Sequence, residues 1–460
     1  MDVKERQEIL SNVKYLQNIR PIDPEEIGGY ISESSGVELI RAEIKENAFQ
    51  LGLIERADGK FIPVSVEPID PQIVEVQEMP ERHAARLENV LRERYGTKWQ
   101  LGESGEIIRG RIKEIKKDYY EGNRVEYDEE NALAYAVYHL PGYYAAIQYV
   151  LNKISESGLL KRKLRILDVG AGVGGPALGI SDYMPENALI EYNVVEPSDA
   201  ANILQILMEG RGPNIHLNIH QNTAEKFEPN GVYDIILFAN VLSELKNPIS
   251  VVSKYSKFVS EVGSMILVAP ADKNTAIELR EVERALSSDM NIYAPTIRLW
   301  PGHSPCSEGW SFEVMPDIEI PSFQDKIAQG SQRRGEFLNI DVQVAYSILR
   351  WDYQTLFRHS KDTSRCVMLS DIGTRVGKRV NVIAVKLSQD LSEGKNALFL
   401  IGDGSEKIDN YAVIVKETPQ NRVISEIKYG GIVLMRDVLV LWNDDEASYN
   451  LIVDKETVIE

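Results

Sequence analysis

The spacing of apolar residues changes character three times along the 460 positions. Glu25 to Ile31 reads as a short helix. Val37 to Leu53 repeats apolar residues at helical spacing, with Leu39, Ile40, Ile44 and Phe49 on the apolar positions. Two apolar runs then flank Asp58-Gly59, a strong hairpin signal. Pro68 and Pro71 mark an extended linker over 66–75, and two charged helical stretches follow, Glu81–Tyr95 and Glu106–Tyr120. From Leu164 to Trp351 apolar strands alternate with helices, which implies a parallel sheet with crossover helices. Past residue 368 only short β-runs occur: Arg379–Leu387, Asn396–Ile401, Asn410–Lys416, Gly431–Leu441 and Tyr449–Asp454.

These patterns predict four segments. Residues 1–75 form an α+β module in which helices precede a hairpin, a winged-helix-like order that a small interaction cap shares. Residues 76–130 form a charged helical connector. Residues 131–360 carry an α/β sheet of Rossmann-like type. Residues 365–460, with five short strands, suit a small closed barrel of oligonucleotide-binding (OB-like) type.

Composition adds limits. With 43% hydrophobic and 26% charged residues the chain is an ordinary globular protein. Its 51 basic against 70 acidic residues give a net charge of −19, so phosphates are repelled on average and nucleic acid is met only on a local basic face. The densest such stretch holds Arg109, Arg111, Lys113, Lys116 and Lys117 beside Tyr119 and Tyr120. It is a candidate RNA contact or a solvated helix face. Two cysteines, Cys306 and Cys366, cannot build a disulfide framework. The charged N-terminus lacks the apolar core of a signal peptide, and no apolar stretch reaches membrane length; the expected location is cytoplasmic.

The chemistry concentrates in Leu164-Arg-Ile-Leu-Asp-Val-Gly-Ala-Gly-Val-Gly-Gly175. A buried strand ends in Asp168 and enters a loop with Gly170, Gly172 and Gly174, and a helix starts near Pro176. Glycines let the backbone approach a ligand at the carboxyl end of a strand. The next strand ends in Glu196, an acid placed to accept both hydroxyls of an adenosine ribose. Dinucleotide enzymes share that feature. Asp168 separates the cases, because a carboxylate directly before the glycines repels a pyrophosphate but can receive the amino-acid moiety of S-adenosylmethionine. Asn222 supplies polar groups for an adenine edge. Asn240 ends the fourth strand, where a group facing the transferred methyl would sit; it is also placed to cap the next helix. Ser243 and Glu244 are weaker candidates one turn on.

This order of elements resembles the class I S-adenosylmethionine-dependent methyltransferases over residues 130–355. Flanking segments sharpen the likeness: Ala134-Tyr-Ala-Val-Tyr-His-Leu-Pro-Gly-Tyr-Tyr-Ala-Ala-Ile-Gln-Tyr-Val-Leu151, Asn240-Val-Leu-Ser-Glu-Leu245, Leu279-Arg-Glu-Val-Glu-Arg-Ala-Leu286 and Ala345-Tyr-Ser-Ile-Leu-Arg350. They are similar to segments of the methyltransferase-like family of the mitochondrial small ribosomal subunit and its prokaryotic relatives. The resemblance implies methylation of small-subunit rRNA or a non-catalytic role in subunit assembly, with RNA as partner; the acidic charge leans instead towards a protein or small-molecule acceptor. Members of that family carry a cysteine-rich insert for an iron–sulfur cluster. Here Cys306 stands alone, with His303 and Cys366 the other candidates, so no metal is assigned.

Overall fold

The computed structural model describes the chain except residues 32–35, 122, 124, 296, 304–310, 316–317, 340–341, 358–362 and 395. The chain divides into two compact units, and its alternation of strands and helices is Rossmann-like. The first unit comprises Met1–Ile115, Glu126–Thr223 and Ile320–Leu338.

The first unit opens with α1 (Val3–Leu16), α2 (Pro24–Gly28), α3 (Val37–Glu46) and α4 (Ala48–Leu51), followed by the hairpin β1 (Leu53–Glu55) and β2 (Phe61–Pro63). The Asp2 carboxylate accepts the Glu5 N–H at 2.8 Å and starts α1. Gly59, at φ 79°, makes the predicted hairpin turn. Ile9, Val13, Ile22, Ile27, Ile40, Ile44, Leu53 and Phe61 close the module's own core. Each of these side chains stabilises the module by roughly 1.5–3 kcal/mol through the surface it removes from water. Leu39, expected on the apolar face of α3, is exposed, because the buried stripe runs through Ile40 and Ile44.

The proline-marked segment after the hairpin is extended and is stitched down. Asn152 Oδ1 accepts the Val74 N–H at 2.9 Å, and Ser155 Oγ accepts the Gln72 N–H at 3.1 Å. Three helices follow: α5 (Glu81–Tyr95), α6 (Gly102–Glu121) and α7 (Glu129–Ser155). Next come β3 (Lys163–Val169), α8 (Gly175–Tyr183), β4 (Leu189–Val195), α9 (Ala200–Leu207) and β5 (Ile215–His220). The strands lie in the order β5-β4-β3, all parallel, with Asp168 paired to Val194. Close packing of α8 on α7 depends on Gly179, where a Cβ would come within 2.4 Å of Ile147 Cγ2.

The second unit comprises Lys116–Val125, Ala224–Glu319 and Asn339–Glu460. It contains β6 (Tyr233–Ala239), α10 (Pro248–Ser256), β7 (Val259–Pro270), α11 (Lys273–Leu286), β8 (Asn291–Ala294), β9 (Glu313–Met315) and β10 (Val342–Arg350). β6 and β7 are parallel, and β10 runs antiparallel to β7, β8 and β9.

The barrel strands are β11 (Arg379–Lys386), β12 (Ala397–Gly402), β13 (Asn410–Ile414), β14 (Ile432–Asn443), β15 (Ser448–Val453) and the short β16 (Val458–Ile459). Strands β11-β12-β13-β15-β14 follow one another around the barrel, and β14 pairs back to β11, which closes it without a free edge. Only β13 and β15 pair in parallel, and the remaining contacts are antiparallel. Val382, Ala384, Phe399, Ala412, Met435 and Leu451 fill the interior. Outside, Ile383, Val385, Leu400 and Leu434 are covered by Ile297 and Leu299. The buried Arg280 of α11 also reaches the barrel, donating from Nη2 to the Tyr429 hydroxyl at 3.0 Å and from Nη1 to Glu283 at 2.7 Å.

Among the described residues no helix is long and apolar enough to cross a membrane.

Candidate functional site

The site in the first unit follows from strand register. Side chains alternate between sheet faces, so Ile166 and Asp168 of β3 share a face with Tyr192, Val194 and, just past β4, Glu196. Tyr192 lies diagonally across from Asp168 and donates its hydroxyl to Asp168 Oδ2 at 2.8 Å. The other oxygen, Oδ1, is buried with no hydrogen-bond partner among the described residues, and the Asp168 side chain is fully buried. Burial pushes its carboxyl up to about 7; the Tyr192 hydrogen bond opposes this and the nearby Glu196 charge adds to it. A buried acceptor without a donor is costly, and a cationic ligand group would relieve it.

Gly170, Gly172 and Gly174 have φ of 71°, 53° and 89°, the left-handed region that a side chain disfavours. The Gly170 N–H donates to the Val195 carbonyl at 2.8 Å. The Gly172 N–H donates to Glu196 Oε2 at 2.9 Å, so the acid at the end of β4 fixes the middle of the loop. Gly174 carries a packing demand as well, since a Cβ there would lie 2.8 Å from Leu204 Cγ. Glu196 Oε1 accepts the Ser198 N–H at 3.0 Å and its hydroxyl at 2.6 Å. Three donors on two oxygens leave the carboxylate further acceptor capacity. Asn222, directly after β5, is half-buried and holds a local turn, its Oδ1 accepting the Thr223 N–H at 2.9 Å.

In the second unit Asn240 directly follows β6. Its N–H donates to the Val268 carbonyl at 2.8 Å, which extends the ladder to β7 by one residue. Its φ is 58°, a left-handed conformation for a residue with a side chain, and its Oδ1 is buried with no hydrogen-bond partner among the described residues. It does not act as a helix cap. The following helix is a single 3₁₀ turn, Leu242–Glu244, without a side-chain cap, and α10 is started by Asn247. Ser243 is exposed on that turn.

The first unit thus brings together Asp168, the three glycines, Glu196 and Asn222. Tyr192 and Ser198 were missed in the sequence. Two positions before an acid-bearing register position, a strand tyrosine carries a signal only once pairing is known; Ser198 is visible in hindsight as the hydroxyl two residues past Glu196. Arg109, Arg111, Lys113 and Lys117 of α6 are drawn into ion pairs. Arg109 is buried and bonds Glu106 at 2.8 Å, Arg111 bonds Glu114 at 2.9 Å and Glu130 at 3.2 Å, and Lys113 lies 3.3 Å from Glu336. Cys306 lies outside the described residues. Among those described, no group of three His, Cys, Asp or Glu side chains could hold a metal ion.

Residues 141–311 match a methyltransferase domain family. Residues 6–57 and 370–460 match the N-terminal and C-terminal domains of a family described as a domain of unknown function (DUF8157). No curated protein matches the chain. Among solved structures the chain is similar to the plantazolicin methyltransferase BpumL in complex with S-adenosylhomocysteine, at 14% identity over 58% of this chain and 98% of that one, with a TM-score of 0.28. It is also similar to an S-adenosylmethionine-dependent methyltransferase from Aquifex aeolicus, at 15% identity over 33% of this chain and 82% of that one, with a TM-score of 0.28. Residues 141–311 thus carry a methyltransferase domain, and the buried Asp168 carboxylate, with Oδ1 unpartnered among the described residues, and the left-handed glycine loop tied to Glu196 fit S-adenosylmethionine as its cofactor.

Proposed function

We propose that the enzyme methylates RNA, on a base nitrogen or a hydroxyl of small-subunit rRNA or of an assembly intermediate. When bound, S-adenosylmethionine supplies a methyl group on a positively charged sulfur that needs no further activation. The protein's part is to hold donor and acceptor in line and to exclude water. Asp168 would receive the cofactor's ammonium on its unsatisfied Oδ1, Glu196 its ribose hydroxyls, and Asn222 its adenine edge. The observation that carries the acceptor reading is Asn240, whose strained backbone and partnerless amide oxygen offer a fixed acceptor for an N–H or O–H group. The strand order of the C-terminal barrel, which is that of barrels that bind oligonucleotides, supports the RNA reading, as does the helix-then-hairpin module as a second grip. A protein acceptor is the second reading, favoured by the ion pairing of the α6 cations.

The test is transfer of a radiolabelled methyl group from S-adenosylmethionine to small-subunit particles by the full chain. Label that ribonuclease releases, and that falls about a hundredfold with Asn240→Ala, supports the proposal. Label that protease releases supports the second reading. Cofactor binding without label would overturn both and leave an assembly factor.

A further inference from the structure

Within the second unit a cleft of about 540 Å³ opens beside β8, the edge strand of the sheet. Helix α11 ends at Leu286, and the chain turns through 287–290 into β8, where Asn291 pairs with Arg350 of β10. The chain that leaves β10 is then tied along β8. Asn291 Nδ2 donates to the Gln354 carbonyl at 2.6 Å, and the Leu356 N–H donates to the Tyr293 carbonyl at 2.8 Å. The buried Met290, Ile292 and Ile297, with the half-buried Phe357, give the cleft an apolar lining. It is separate from Asn240. The Asn240 N–H bonds Val268, which pairs with Tyr346, four residues before Arg350 on β10, so the cleft lies about 13 Å further along that strand.

Two of the lining side chains have no partner among the described residues. Tyr353 is 81% exposed and makes no side-chain hydrogen bond and no ring contact there, so its ring is open to solvent. Its φ is 57°, a left-handed conformation that a bulky side chain rarely adopts, and the hydrogen bonds of Gln354 and Leu356 hold the segment in place. Arg298 is exposed and makes no hydrogen bond or ion pair to a described residue. Asp352, next to Tyr353, is already engaged: Arg350 Nε donates to its Oδ1 at 2.9 Å. Arg298 is therefore the cation that the cleft offers, and the exposed Asp289 is its carboxylate.

We infer that this cleft is a second binding site, distinct from the methyl-transfer residues, and that it takes one ribonucleotide. The base stacks on Tyr353 over the apolar lining, the phosphate pairs with Arg298, and the Asp289 carboxylate accepts ribose hydroxyls. A purely apolar ligand would leave the guanidinium unused, and a small anion would leave the ring and the apolar lining unused. A nucleotide uses all three. A free nucleoside monophosphate and one unpaired nucleotide of an RNA strand share this chemistry. The inference does not depend on rRNA being the methyl acceptor.

The experiment uses the full chain, Arg298→Ala, Tyr353→Ala and Tyr353→Phe, each saturated with S-adenosylhomocysteine so that the cofactor site is filled. Calorimetry measures binding of cytidine 5′-monophosphate and of cytidine, and fluorescence anisotropy measures binding of an oligocytidine RNA 12-mer. Arg298→Ala is expected to weaken the monophosphate about tenfold and to leave cytidine within about twofold, because only the phosphate contact is lost. Tyr353→Ala is expected to weaken both about tenfold, and Tyr353→Phe, which keeps the ring, to stay within about twofold. S-adenosylhomocysteine affinity within about twofold in every variant shows that the fold is kept. A 12-mer that loses affinity in both alanine variants identifies an RNA strand as the source. A 12-mer indifferent to both, with the monophosphate still dependent on them, identifies the free nucleotide. A wild type that binds neither probe, or binding of both probes that ignores Arg298 and Tyr353, overturns the inference. If no methyl group reaches rRNA while the monophosphate still depends on both residues, the rRNA reading fails and the nucleotide site stands.

Discussion

Replacing Asp168 with asparagine separates what the carboxylate costs the fold from what it contributes to the cofactor site. The amide keeps the shape of the side chain and can still accept the Tyr192 hydroxyl, which lies 2.8 Å from Oδ2. It removes a buried charge. The carboxyl is raised from its ordinary 3.8 to about 7, chiefly by burial. A rise of that size disfavours the ionised folded form by about 4 kcal/mol, an order-of-magnitude figure. The sign follows from the proton. The folded chain holds it up to about pH 7 and the unfolded chain releases it near 3.8, so wild-type stability falls as pH rises through that window. Asp168→Asn does not titrate there. Urea denaturation at several pH values should show the variant gaining on the wild type between about pH 4 and 7, with the gap constant above. Calorimetry at pH 8 should show S-adenosylmethionine affinity reduced about ten- to hundredfold, the worth of a hydrogen bond between charged groups. A stability gap that does not change with pH, together with unchanged cofactor affinity, would refute the reasoning.

Three further outcomes follow from the same geometry. Gly174→Ala should destabilise the chain by about 1–3 kcal/mol and exceed Gly172→Ala, because it adds a clash with Leu204 to the left-handed backbone; denaturation midpoints check the ranking. Asn240→Gly should keep or raise stability by up to about 1 kcal/mol, since φ 58° no longer carries strain, while methyl transfer falls about a hundredfold. Full activity in that variant would reduce Asn240 to a turn residue. In the barrel, Glu406 accepts the Asp403 and Gly404 N–H groups at 2.9 and 2.7 Å. Burial, with the adjoining Asp403 carboxylate, pushes its carboxyl up to about 8. Stability that depends on this proton is present below the unfolded value and lost as pH rises through about 8. Thermal melts should therefore fall between about pH 4.5 and 8 in the wild type and level off above, and fall less in Glu406→Gln.

Local chemistry made much of the architecture legible. Asp58-Gly59 permits only a tight turn, and the strands around it pair as predicted. Five β-runs separated by glycine and asparagine turns became the barrel, with Arg379–Lys386 and Asn410–Ile414 ending within two residues of expectation. The helix Val3–Leu16 was missed although Ile9, Leu10, Val13 and Leu16 recur at helical spacing, among charged residues on the other positions. The helix expected from Val37 to Leu53 breaks at Asn47 into α3 and α4. The helix expected after Asn240 shrinks to one 3₁₀ turn.

The sequence by itself determined which residues stand at the ends of the cofactor strands, because an acid followed by spaced glycines is a property of neighbouring positions. It also determined the net charge of −19, which needs no fold. Only the tertiary structure decided which groups those residues meet. Tyr192 satisfies Asp168 through a strand register, and Gly172 is held by an acid 24 positions away. Arg109 is spent on Glu106 and on the Ile327 carbonyl, 218 positions away. Asn240 is left without the cap that its neighbours in sequence promised. These are facts of pairing between distant segments, and hydrogen bonding and burial fix them only once the strands and helices have packed.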